Sequence, residues 1–216
     1  MKTVHRILTP VLSVLIFPVA IFLPLIRMVI SSGLASGENK TNLLDNFGIG
    51  EFISLKDIYT LFIADSDSTS TSLIKSLWSA LAEDKKQAIL DSMALNWGIV
   101  FLVLLAAVLL VALAAAIVSA ATKKPGISIL LSGFGVICTL LMNTAFDAFA
   151  KPFVIGAVNL NTLLGTSNQL LGALLGNVAS VDYMKLGIAY SVILLIFVCC
   201  IILGICAYME QKNEDK

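Results

Sequence analysis

The side chains with which this chain could do chemistry are few and far apart. Its one histidine, His5, lies in a short basic stretch with Lys2 and Arg6. That leaves no Ser/His or Cys/His dyad within the apolar segments and no histidine-rich metal set. The four cysteines, Cys138, Cys199, Cys200 and Cys206, all fall in apolar runs, and none has the CxxC spacing of a zinc or dithiol site. None lies in an aqueous loop where an oxidising compartment could pair it. They read as small buried apolar residues, with a palmitoyl site at Cys206 as the alternative. There is no glycine-rich phosphate loop and no HExxH. The carboxylates gather between Ser31 and Ser92, dispersed among lysines as on a solvated surface. The expectation is a protein without catalytic, cofactor-binding or metal-binding residues, and not an enzyme.

What remains is uncharged polar chemistry. Between Pro152 and Tyr183 the chain is too apolar for a loop and too polar for an ordinary crossing. Leu160, Leu163, Leu164, Leu171, Leu174 and Val178 repeat at helical spacing, and Asn159, Asn161, Asn168 and Asn177 lie between them. An interfacial helix usually carries Lys or Arg on its wet face and an aromatic anchor, and this stretch has neither from Val154 to Ser180. Three placements stay open: a helix on the membrane surface or the outer lobe, a re-entrant segment, or the lining of a narrow wet cavity. Thr139, Asn143 and Thr144, in an apolar run upstream, are further candidates for a buried polar or pore-lining role. Amides and hydroxyls of this kind can line a pore without any charge.

These residues must be positioned by the segments around them. Of 216 residues, 58% are hydrophobic and 13% charged, far from the composition of a soluble domain. With a mean hydropathy of +0.97, the chain reads as a polytopic membrane protein. The run Leu95–Thr122 has no charged side chain, has Trp97 near one end, and is followed by Lys123 and Lys124. It exceeds the ~20 apolar residues that cross a bilayer. Three further runs give an all-α fold, a bundle of four transmembrane helices with a small, mostly helical extracytoplasmic lobe. The expected divisions are helix 1 over residues 1–30, the lobe over 31–92, helix 2 over 93–122, helix 3 over 126–150, an outer loop with an amphipathic or re-entrant helix over 151–185, helix 4 over 186–209, and a tail over 210–216. The first run is longer than the apolar core of a signal peptide, and Pro10, Pro18 and Pro24 should kink or break it.

Packing and orientation follow from smaller signals. Ala112, Ala116 and Ala120 are spaced by four, as are Ser128 and Ser132. Small residues so spaced let helices approach closely in lipid, either as the helix 2/helix 3 contact or between copies. In the lobe, Leu55, Ile58, Tyr59 and Phe62 make a helical stripe, with Ser54 as N-cap and Asp57 three residues on. Lys2, Arg6, Lys123, Lys124, Lys212 and Lys216 would all fall on one side of a four-span arrangement, which places both termini in the cytoplasm and the protein in the plasma membrane. This layout resembles that of claudin-like tetraspan proteins, with one departure. Those families carry a tryptophan and a cysteine pair in the first outer loop, and no cysteine occurs here between Ser31 and Asp91. The resemblance implies a layout and no family.

Two functions are compatible with these residues. One is an accessory or scaffold subunit of a membrane assembly, with the lipid bilayer, another membrane protein or further copies of itself as partners. The other is an oligomeric channel lined by amide and hydroxyl side chains. A proton-driven transporter is disfavoured because ionisable groups are missing from the apolar runs. The formal net charge of zero, without a basic block, points away from nucleic acid.

Overall fold

The computed structural model describes residues 2–32, 50–62, 93–122, 124–155 and 179–214. It is mostly helical. In chain order the elements are α1 (Lys2–Phe22), β1 (Pro24–Ser32), β2 (Phe52–Ser54), α2 (Leu55–Phe62), α3 (Met93–Ala121), α4 (Pro125–Val154), β3 (Ala179–Leu186) and α5 (Ile188–Glu214). Among the described residues, four helical stretches are long and apolar enough to cross a membrane: Thr3–Phe22, Leu95–Ala121, Pro125–Val154 and Ile188–Asn213, with mean hydropathies of 1.9, 3.2, 1.9 and 3.0. At 1.5 Å rise per residue even the shortest spans about 30 Å of hydrocarbon.

The chain divides into two compact units. One contains Met1–Leu23, Val100–Thr144 and Ile188–Lys216; the other contains Pro24–Ile99 and Ala145–Gly187.

In the first unit each helix buries one seam. On α3 it runs Leu105, Val108, Ala112, Ala115, Ser119; on α5 it runs Ala189, Ile193, Ile196, Cys200, Ala207. Steps of three and four keep one stripe on one face of a helix. The opposite faces carry large exposed apolar side chains, Leu110 at 67% and Leu130 at 74% among them, as helices facing lipid do. α1 packs on α5, where Ser13 Oγ lies 3.9 Å from Cys200 Sγ. α4 meets α5 at Gly135, where the ring of the fully buried Phe197 occupies the space a Cβ would need. All four cysteines are free, Cys138 and Cys200 buried, Cys199 and Cys206 half-buried.

The second unit departs from the all-α expectation. It contains a three-stranded sheet of order β2-β1-β3. β1 pairs antiparallel with β3 from Ile26↔Leu186 to Ser32↔Ala179, with a bulge between Val29 and Ile30. Its other edge pairs with β2 from Pro24↔Ser54 to Arg27↔Phe52, extended by Met28 N donating to Glu51 O at 2.9 Å. Helix 1 therefore ends at Phe22 instead of reaching residue 30, and the end of the expected outer loop over 151–185 is a strand. Pro24 explains the first change. It lacks an N–H and crowds the preceding turn, so it ends the helix and sits at the first strand position, where no ladder donor is missed. Residues 26–30 then extend because β3 supplies a partner some 150 residues away. The closure is tight: Gly187 N donates to Leu25 O at 2.8 Å, and a Cβ on Gly187 would collide with the Pro24 carbonyl.

Arg27 ties this sheet together. Its guanidinium lies 3.2 Å from Glu51 Oε1 and 5.2 and 5.4 Å from the ring centroids of Phe52 and Tyr183. A planar cation can stack on aromatic faces while donating to a carboxylate in its own plane. Of the lobe expected over 31–92, the described part consists of the end of β1, β2 with the two residues before it, and α2. The start of α2 is fixed by a reciprocal cap: Ser54 N donates to Asp57 Oδ2 at 2.8 Å, and Asp57 N donates to Ser54 Oγ at 3.2 Å. Ser54→Ala is expected to weaken this start by about 1 kcal/mol. Amide hydrogen exchange across 55–62 should accelerate about fivefold; unchanged exchange would show that the cap does not hold the helix.

Candidate functional site

The first unit's buried seam is polar in one half and apolar in the other. On α1, His5, Thr9 and Ser13 follow one another every four residues and are 4%, 0% and 0% exposed. On α4, Ser128, Ser132 and Thr139 are fully buried, and on α3 so is Ser119. Towards the other end of each helix the seam becomes Ile16 and Ala20 on α1, Leu105 and Val108 on α3, Met142 on α4, and Ile193 and Phe197 on α5.

Four contacts set the levels. Arg6 Nη2 donates to Ala120 O at 3.5 Å, joining the start of α1 to the end of α3. A Cβ placed on Gly204 of α5 would lie 2.6 Å from Ile129 Cγ1 and 3.7 Å from His5 Nε2, so α1, α4 and α5 meet there. Ser128 adjoins Ile129 in the chain. One turn further along their helices come Thr9 and Ser132, then Ser13 beside Cys200. The polar half is therefore the half nearest the two ends of the chain and the turn between α3 and α4.

The groups differ in how they are satisfied. Ser119 Oγ donates to Ala115 O at 2.6 Å, and Thr139 Oγ1 donates to Gly135 O at 2.7 Å. Back-bonding of this kind hides a hydroxyl inside its own helix. In contrast, His5 Nε2, Thr9 Oγ1, Ser128 Oγ and Ser132 Oγ are buried without a hydrogen-bonding partner. A buried polar atom left unpaired costs about 1–3 kcal/mol, so four of them in one region mark a place suited to holding water or a small polar solute. Among the described residues, no three His, Cys, Asp or Glu side chains come together in a way that could hold a metal ion.

Several sequence expectations are redrawn here. His5 belongs to the buried seam and not to an outlying basic flank, because α1 begins at Lys2. Ala112 and Ala116 are buried, but Ala120 is exposed, and its carbonyl accepts from Arg6. The seam steps from Ala112 and Ala116 to Ser119. α3 and α4 also come together at Gly98, where a Cβ would sit 3.1 Å from the Phe149 ring. Thr144 is exposed and its hydroxyl donates to Leu141 O at 2.8 Å; Asn143 is half-buried and has an interaction of its own. Neither joins the unpaired cluster. Asn159, Asn161, Asn168 and Asn177 lie outside the described residues. The signal for His5, Thr9 and Ser13 was their i, i+4, i+8 spacing; it is masked in sequence by apolar neighbours on every other face. No family model matches the sequence, and neither curated proteins nor solved structures give a match.

Proposed function

We propose that the protein is a four-span integral membrane protein without catalytic machinery that serves as an accessory or scaffold subunit of a membrane assembly. One observation carries this reading. The polar side chains buried in the described seam are an imidazole and small hydroxyls, with no carboxylate, lysine or arginine among them. Coupled transport and proton relay use chains of ionisable side chains inside the bundle, whereas among its polar side chains this seam holds a single imidazole, His5, with small hydroxyls that suit it to hold helices together. The wide apolar outer faces supply contact area for lipid and for neighbouring subunits, either copies of the chain or another membrane protein. Nucleic acid is not a partner in this reading. Lys2, Arg6, Lys123, Lys124, Lys212 and Lys216 support a plasma-membrane orientation with both termini cytoplasmic.

The test is the native mass of the solubilised protein. The expected result is a complex of fixed stoichiometry, larger than the 23.0 kDa chain, that reassembles from its purified components. A stable monomer in every mild detergent would contradict the proposal.

A second reading, an oligomeric pore, is favoured by the four unpaired polar atoms. Water held by His5, Thr9, Ser128 and Ser132 would make a wet path through half the bundle without any charged lining. It would show as conductance in a planar bilayer, lost when those hydroxyls are removed.

A further inference from the structure

Beside the polar seam, on the outside of the same end of the first unit, α4 and α5 enclose an open groove of about 530 Å³. Its two walls differ in chemistry along the helix axes. At the helix ends it is lined by Lys124, Gln211 and Lys212, with Tyr208 one turn deeper on α5. Further into the span it is lined by Ile127 and Leu130, which are 42% and 74% exposed. Both lysines are exposed. Gly126 opens the first turn of α4, and a Cβ built there would meet nothing within 4 Å, so a ligand can approach the backbone directly. Glu210, two residues before Lys212, is only half-exposed and has an interaction of its own.

We infer that this groove binds one anionic phospholipid, with its phosphate held between Lys124 and Lys212 and one acyl chain laid along Ile127 and Leu130. The inference rests on the membrane-spanning reading of the four helices. Two ammonium groups at a helix end attract an anionic headgroup, and basic pockets between spanning helices are suited to such lipids. Leu130 and Ile127 then offer an apolar surface at the depth where the acyl chain begins. Tyr208 fits the boundary between the two, since its ring is apolar and its hydroxyl can donate to a phosphate or glycerol oxygen. A zwitterionic lipid would place its own ammonium against the two lysines and lose the attraction. The volume lies within the range of small-ligand sites and suits a headgroup with the start of a chain.

The test uses the full-length protein in detergent, titrated with phosphatidylglycerol, with phosphatidylcholine of the same chains, and with inorganic phosphate. Bound lipid is counted by native mass spectrometry, and protection is read as the shift in melting temperature. One phosphatidylglycerol per chain should bind at least tenfold more tightly than phosphatidylcholine. Lys124→Gln and Lys212→Gln should each weaken it about fivefold, and together about 30-fold. Gly126→Leu, which leaves both charges in place but fills the groove, should weaken it as well. Equal binding of the two lipids, or an unaltered preference in the double lysine variant, would overturn the inference. Protection by inorganic phosphate equal to that by phosphatidylglycerol would also overturn it, because the site would then recognise a free anion. If the chain fails to insert even into phosphatidylcholine vesicles, the membrane reading itself has failed, which is a separate outcome from insertion without lipid preference.

Discussion

Gly135→Leu is expected to be the most damaging single substitution in the first unit. The position sits on the buried face of α4, and Phe197 of α5 fills the volume in front of it, its Cζ 2.6 Å from where a Cβ would begin. Phe197 is fully buried, so its ring cannot swing out to solvent without opening the packing around it. A leucine must push the two helices apart, at a cost on the order of 3 kcal/mol. The measurement is unfolding of the purified protein in mixed micelles. The contact also predicts a rescue: Phe197→Leu combined with Gly135→Ala should be less destabilised than the sum of the two single changes, because the smaller side chain makes room for the added methyl and the methyl fills part of the space the ring leaves. Strict additivity would show that the two residues do not share the space.

Removing the unpaired hydroxyls should act in the opposite direction. Thr9→Val, Ser128→Ala and Ser132→Ala keep shape nearly constant while deleting buried oxygens that have no partner in the protein. Each is expected to raise the unfolding free energy by about 1 kcal/mol, and the triple variant by about 2–3 kcal/mol. The outcome is read in the same unfolding assay. A fall in stability would mean that these oxygens are engaged by something the protein needs in order to fold. If the pore reading holds, the triple variant becomes more stable and loses conductance together, since the unpaired atoms are then kept for function at the expense of stability.

How far the sequence could be read depended on the range of the forces involved. The four apolar runs were legible because crossing a bilayer requires a length and a composition that little else requires, and the helices found over Thr3–Phe22, Leu95–Ala121, Pro125–Val154 and Ile188–Asn213 have both. The cap at Ser54 and Asp57 was legible because its hydrogen bonds span three residues. The strands were not. Short apolar runs such as residues 25–30 have no periodicity that separates strand from helix, and what makes β1 a strand is pairing with β3, which lies far along the chain. The polar seam was half-legible. Ser128 and Ser132 stood out by spacing, but the same rule carried the alanine stripe on to Ala120, whereas the helix seam turns to Ser119. Sequence alone places His5 in the flank, because Lys2 and Arg6 beside it are charged. The contacts at Gly204 and Ala120 bring the start of α1 against α5 and α3.

The proposed function depends on four crossings with both ends on one side, so the most direct measurement is one of sidedness. Lys56, on α2, and Asn213, at the end of α5, are both exposed and can be replaced singly by cysteine, with the parent protein as the control for its own thiols. An impermeant thiol reagent added to intact cells should label Lys56→Cys at once and leave Asn213→Cys untouched until the membrane is opened. Equal labelling of both from outside, or of neither, would contradict the four-span arrangement.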